Sequence, residues 1–117
     1  MAEYSTYGRH EMADFYGVSS NTFGILNLLH EAVERTGAHV EKVDLNITPE
    51  KISIMFLLTE SHLSLHAFIK QKRWFVDCYT CGETVYPSRA IDMLINTLDF
   101  QYVYRHELIR GVQEDAH

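Results

Sequence analysis

The run Thr59-Glu60-Ser61-His62-Leu63-Ser64-Leu65-His66, followed by Tyr79-Thr80-Cys81-Gly82, gathers hydroxyl, imidazole and thiol side chains in one short region. A serine attacks carbonyls when its proton has somewhere to go, an imidazole exchanges protons near neutrality, and a thiol serves as nucleophile or acid. Leu63 and Leu65 alternate with polar residues, so the run reads as a strand with His62, Ser64 and His66 on one face and the leucines on the other. Taken alone, a serine and a histidine on such a face are more often hydrogen-bonded surface residues than catalysts. His62 and His66 have the spacing of a zinc pair on a helix, but the strand alternation between them predicts no metal site. Cys78 and Cys81 form a C-x-x-C pair that could suggest redox or zinc chemistry. Both end the strand-like run from Trp74, where residues three apart point to opposite faces, so Cys78 is expected in the core and Cys81, just past the strand beside Gly82, is free to react.

These residues must be positioned by alternating strands and helices. Gly8 to Val18 reads as a first strand, and Ser19-Ser20-Asn21 offers polar caps to a helix that Gly37 ends, with Ile25, Leu29 and Ala32 on one stripe. His39 to Ile47 and Lys51 to Leu58 are predicted to form a hairpin around Thr48-Pro49-Glu50. Leu63 to Ile69 and Arg73 to Tyr79 are extended segments separated by Lys70-Gln71-Lys72. Pro87-Ser88 opens a second helix whose Ile91, Leu94, Ile95 and Leu98 fall on one face, and Gln101 to Leu108 closes the pattern as a strand. The expected fold class is α+β, a two-layer sandwich with two helices on one face of an antiparallel sheet. Met12, Met55 and Met93 are expected as core filler, and Gln113 to His117 as a solvated tail.

At 117 residues, 46% hydrophobic and 22% charged, the sequence fits one domain with one core. A net charge of −6 with ten dispersed basic residues disfavours nucleic acid as a partner. The longest apolar run, Ile54 to Leu58, is too short for a bilayer, and the amino terminus lacks the pattern of a secretory signal, so no membrane partner and a cytoplasmic location are expected.

The E-S-H-L-S-L-H word and its partners in register resemble the bacterial and archaeal S-adenosylmethionine decarboxylases, pyruvoyl-dependent proenzymes that cut themselves. The family's processing serine, catalytic histidine and catalytic cysteine fall on Ser61, His66 and Cys81, its helper serine on Ser53, and its opening motif on Gly8-Arg9-His10. The resemblance spans about Gly8 to Gly111. It implies cleavage between Glu60 and Ser61 into chains 1–60 and 61–117, with a pyruvoyl cofactor made from Ser61. Decarboxylation of an α-amino acid needs an electron sink that no side chain provides, and a carbonyl able to form a Schiff base supplies one. By resemblance Ser53 is the donor for a strained Glu60-Ser61 peptide, His66 removes the ester's α-proton during processing, and Cys81 protonates the α-carbon of the product. The resemblance also implies a homodimer, with active sites at or near the subunit interface, and a place in polyamine biosynthesis.

Two departures bear on substrate. Typical members follow the histidine with Thr-Trp-Pro-Glu, whose glutamate holds a ribose; here Ala67-Phe68-Ile69-Lys70 stands there. A His-Arg-Phe word with an adenine-stacking ring is replaced by Leu45-Asn46-Ile47. Retained chemistry with altered binding positions predicts L-arginine or L-ornithine as substrate, with Asp14 or Asp77 as acceptor for its cation. S-adenosylmethionine, giving the aminopropyl donor for spermidine, is the alternative, and a catalytically weak regulatory homologue is a second.

Overall fold

The structure is a computed structural model describing residues 6–111; the expected carboxy-terminal tail lies outside the described residues. Eight elements follow one another: β1 (Gly8–Tyr16), α1 (Ile25–Thr36), β2 (Val40–Ile47), β3 (Lys51–Leu58), β4 (Ser61–Phe68), β5 (Arg73–Cys81), α2 (Pro87–Thr97) and β6 (Tyr102–Arg110). The strands form one sheet in the order β2-β3-β4-β5-β1-β6, and every neighbouring pair is antiparallel. This is the α+β layer architecture expected from the sequence.

Period-two alternation decides which face is buried. Ile52, Ile54, Phe56 and Leu58 of β3, Leu63, Leu65 and Ala67 of β4, and Trp74, Val76 and Cys78 of β5 are buried on the helix side. They meet Leu29, Ala32 and Val33 of α1 and Ala90, Ile91 and Leu94 of α2 in a single cluster. Among the described residues the opposite face carries no helix, and Met55, Leu57, Tyr102, Tyr104 and Leu108 stand about half exposed on it. Of the three methionines expected in the core, only Met93 is buried there. Met55, opposite Ser64, lies on the open face, and Met12, opposite Asp77, shares it.

Local chemistry shifts some boundaries. β1 stops at Tyr16 because Gly17 turns the chain at φ 70°. α1 starts at Ile25 rather than at the polar triplet, since the oxygens expected to cap it are used elsewhere: Asn21 accepts from the Phe23 N–H, and Ser20 from the Asp99 N–H. Gly37 ends α1 in the left-handed region, its N–H bonded to the Glu34 carbonyl, as expected. β4 begins at Ser61 itself and β5 runs on to Cys81, so the reactive residues belong to strand ends and not to a loop.

Candidate active site

Glu60 and Ser61 sit at the tight hairpin joining β3 to β4, where Leu58 pairs with Ser61. Ser61 has φ 158°, at the border of fully extended backbone, so the turn holds the peptide without a left-handed serine. The Glu60 carbonyl accepts from both the Cys81 N–H and the Cys81 Sγ, each at 3.1 Å. Two donors converging on one carbonyl oxygen are what a tetrahedral oxyanion requires. The Glu60 carboxylate is held in turn by His39, from its backbone N–H at 3.0 Å and its ring Nδ1 at 3.1 Å. Burial pushes the Glu60 carboxyl up, but the hydrogen bonds from His39 outweigh it and leave it below the usual carboxylate range. Neither His39 nor the double donation by Cys81 was legible in the residue pattern, because both depend on which strands meet at the hairpin.

The second half of the expected machinery is elsewhere. Ser53 on β3 and His66 on β4 are register partners, with Oγ and Nδ1 3.2 Å apart. His66 is five positions from Ser61 along an extended strand, about 16 Å at 3.3 Å per residue. Within one chain, therefore, the Ser53 hydroxyl does not reach the Glu60 carbonyl and His66 does not reach Ser61. The four residues thus form two separate pairs in one chain, Ser61 with Cys81 and Ser53 with His66. The same rise puts His62 and His66 about 13 Å apart, too far to share a metal ion.

The two acids proposed for substrate contact are also separated from Ser61. Asp77 lies on the open face with Oδ1 3.0 Å from His10 Nε2. Asp14 pairs with Phe75 on β5 and Tyr104 on β6, in the row of His66 and two strands away from it. The two cysteines behave as their parity requires. Cys78 is fully buried, its thiol pushed up to about 12 chiefly by that burial, whereas Cys81 is partly exposed.

Beside Ser53 opens a cavity of about 460 Å³ lined by Asn46, Thr48, Glu50, Lys51, Ser53, Phe68, Lys70 and Gln71. A smaller hollow of about 170 Å³ adjoins it through Asn46 and Ser53 and reaches His66. The positions where the sequence departs from the pattern it resembles, Asn46, Phe68 and Lys70, thus form the wall of a cavity next to the Ser53–His66 pair. Lys51 lies over the Phe68 ring at 5.4 Å.

Comparison with known proteins places these features in context. The family described as S-adenosylmethionine decarboxylase matches residues 9–111. The S-adenosylmethionine decarboxylase proenzyme 2 of Bacillus cereus is 39% identical over 96% of this chain and 95% of its own length. The S-adenosylmethionine decarboxylase proenzyme of Brevibacillus brevis is 40% identical over 96% of this chain and 88% of its own. Among solved structures, the adenosylmethionine decarboxylase of Aquifex aeolicus superposes with a TM-score of 0.83 at 29% identity, covering 97% of this chain and 98% of that one.

Proposed function

This chain belongs to the S-adenosylmethionine decarboxylase family, and on that premise we propose that it is a pyruvoyl-dependent decarboxylase of S-adenosylmethionine, matured by cleavage between Glu60 and Ser61 and completed by a second copy of itself. The observation that carries the reading is the Glu60 carbonyl, gripped by the N–H and Sγ of Cys81 at the residue pair where a serine hydroxyl follows.

In maturation the Ser61 Oγ attacks the Glu60 carbonyl, and the two Cys81 donors stabilise the oxyanion. The C–N bond breaks, its nitrogen takes the hydroxyl proton, and an ester links Glu60 to Ser61. Removal of the Ser61 α-proton expels the Glu60 carboxylate and leaves dehydroalanine, which tautomerises and loses ammonia to water. The resulting pyruvoyl group supplies the electron sink that decarboxylation needs. The chain's own residues then divide the remaining work. Cys81 holds the proton destined for the α-carbon, His66 is the base for the elimination, and Ser53 holds the His66 ring through Nδ1.

A second copy resolves the 16 Å gap. The uncovered face of the sheet, with Met55, Leu57, Tyr102, Tyr104 and Leu108 exposed, is the surface a partner would bury. A two-fold copy packed face to face with its strands reversed brings Ser53 and His66 of one chain toward Ser61 and Cys81 of the other, and by symmetry forms two such sites. The cavity beside Ser53 then receives the part of the substrate remote from the reacting carbon.

Arginine and ornithine are not supported as substrates. The compared relatives carry the S-adenosylmethionine name. The cavity wall also sets two ammonium groups, Lys51 and Lys70, against the single carboxylate of Glu50, a poor receptor for a guanidinium or a second ammonium. Oxygen-rich and flat groups such as a ribose and a base suit Lys70, Asn46 and Phe68 better, because ammonium and amide donors meet hydroxyl lone pairs and the ring offers a stacking surface. Two free thiols fit a reducing cytosol. Intact mass after purification tests the maturation: two chains of residues 1–60 and 61–117, the second blocked by a carbonyl, are expected, and a single uncleaved species under all conditions would favour the regulatory reading instead.

A further inference from the structure

The wall of the cavity beside Ser53 divides into side chains that the fold already uses and side chains that it leaves open. Thr48 Oγ1 donates to the Lys51 carbonyl at 3.2 Å and accepts from the Lys51 N–H at 3.1 Å, Ser53 is paired with His66, and the Lys51 ammonium lies over the Phe68 ring. Asn46, Glu50, Lys70 and Gln71 also line the cavity, and among the described residues their side chains have no hydrogen-bond or ion-pair partner. Lys70 only donates, and the two amides carry a donor and an acceptor each. Glu50 is the single carboxylate on this wall, and when ionised it only accepts. Its place is fixed by the backbone. The Thr48 N–H donates to the Lys51 carbonyl at 2.9 Å, closing the turn between β2 and β3, and the Ile69 N–H donates to the Glu50 carbonyl at 3.0 Å, which ties Glu50 to the end of β4 beside Lys70. Glu50 is three positions from Ser53, at most about 10 Å at 3.3 Å per residue. In S-adenosylmethionine the methionyl chain and the sulfonium separate the reacting carbon from the ribose by a distance of that order.

We propose that the Glu50 carboxylate accepts the hydrogen bonds of both ribose hydroxyls and so sets the selectivity of this cavity for a ribosyl over a deoxyribosyl substrate. The inference rests on S-adenosylmethionine being the substrate and on its remote part entering this cavity. A vicinal diol on a ring offers two O–H donors side by side, and a carboxylate has two oxygens to receive them, each bond strengthened by the charge. The Lys70 ammonium and the Asn46 amide then donate to the lone pairs that the same hydroxyls leave free. Acceptor and donors are thus complementary to a diol, which is both donor and acceptor. They are not complementary to a cationic group, which could use Glu50 but would meet the ammonium of Lys70 on the same wall.

Glu50 is exposed and its side chain has no partner in the fold, so Glu50→Gln is expected to fold as the parent does. Mature parent and mature Glu50→Gln are compared on S-adenosylmethionine and on its 2′,3′-dideoxyribosyl analogue. The parent should lose about 30-fold in kcat/KM when the hydroxyls are removed from the substrate. Glu50→Gln should lose about tenfold on S-adenosylmethionine, carried by KM with kcat kept, and should match the parent on the dideoxy analogue. Equal losses on the two substrates, or no loss on either, would overturn the proposal. A parent that does not decarboxylate S-adenosylmethionine fails the proposed function, and the diol contact is then read separately by calorimetry on full-length Ser61→Ala protein. Tighter binding of adenosine than of 2′,3′-dideoxyadenosine, with the difference abolished by Glu50→Gln, supports the contact. Equal binding of the two nucleosides, or binding of neither, overturns it.

Discussion

Cys81 donates twice to the Glu60 carbonyl, through its N–H and its Sγ, each at 3.1 Å. One donor is backbone and survives substitution by alanine, whereas the other is the thiol itself. Cys81→Ala should therefore still cleave, more slowly, yet lose about 100-fold or more in turnover because the α-carbon has lost its proton source. Cys78→Ala removes only a buried sulfur and should cost about 1 kcal/mol of stability with turnover kept. Gel analysis of cleavage and a steady-state assay check both, and equal loss of activity in the two variants would contradict the assignment.

The separation of Ser53 and His66 from Ser61 gives a complementation test. Chains carrying Cys81→Ala and His66→Ala should each be inactive alone. When they are co-expressed, a site that draws on two chains regains one intact copy per mixed dimer, or about a quarter of the wild-type sites if pairing is random. A site built within one chain regains none. Activity of the purified mixture, with dimerisation checked by light scattering, distinguishes them.

His39 holds the Glu60 carboxylate across the hairpin. Because the Glu60 carboxyl is lowered in the folded chain, its contribution is present above the ordinary carboxylate value and is lost as pH falls through the lower folded value. His39→Ala keeps the backbone bond and loses the ring, so cleavage should slow by about fivefold, roughly one hydrogen bond's worth. A cleavage time course by mass spectrometry reads this directly, and an unchanged rate would remove His39 from the account.

On the helix side of the sheet, Glu11 is buried against Arg105, with Nε 3.1 Å from Oε1. Burial first, and then the Glu107 carboxyl, push it up to about 7 although Arg105 opposes them. A folded value above the unfolded one means that the group's stabilisation is complete below pH 4.5 and is lost as pH rises through about 7. Glu11→Gln keeps a hydrogen-bonding group without the charge. The urea midpoint of that variant should stay flat between pH 4.5 and 7 where the parent's declines; parallel curves would refute the shift.

Much of this arrangement is legible in the residues. Alternation in Leu63-Ser64-Leu65 and in Ile52 to Leu58 assigns the buried face, and three-residue spacing separates buried Cys78 from available Cys81. What alternation does not reveal is distance along a strand combined with partnership across strands. His66 and Ser61 share a short word in the sequence, yet strand extension drives them apart, so nearness in the word is not nearness within the chain. His10 and Asp77 lie 67 positions apart, and nothing local to either announces the β1–β5 pairing that joins them. Met12 and Met55 look like core residues by type, but parity turns them to the face opposite α1 and α2. Lys70 and Asn46 read as losses in the sequence, whereas the fold shows them lining a cavity with Phe68.

The substrate is the central claim, and trapping released carbon dioxide tests it most directly. Mature protein is incubated separately with carboxyl-labelled S-adenosylmethionine, L-arginine and L-ornithine, with Ser61→Ala as the blank. Label released from S-adenosylmethionine at a kcat/KM at least about 100-fold above the other two is the predicted result. Faster release from arginine or ornithine would contradict it, and would mean that a second copy brings an acid into the cavity beside Lys51 and Lys70.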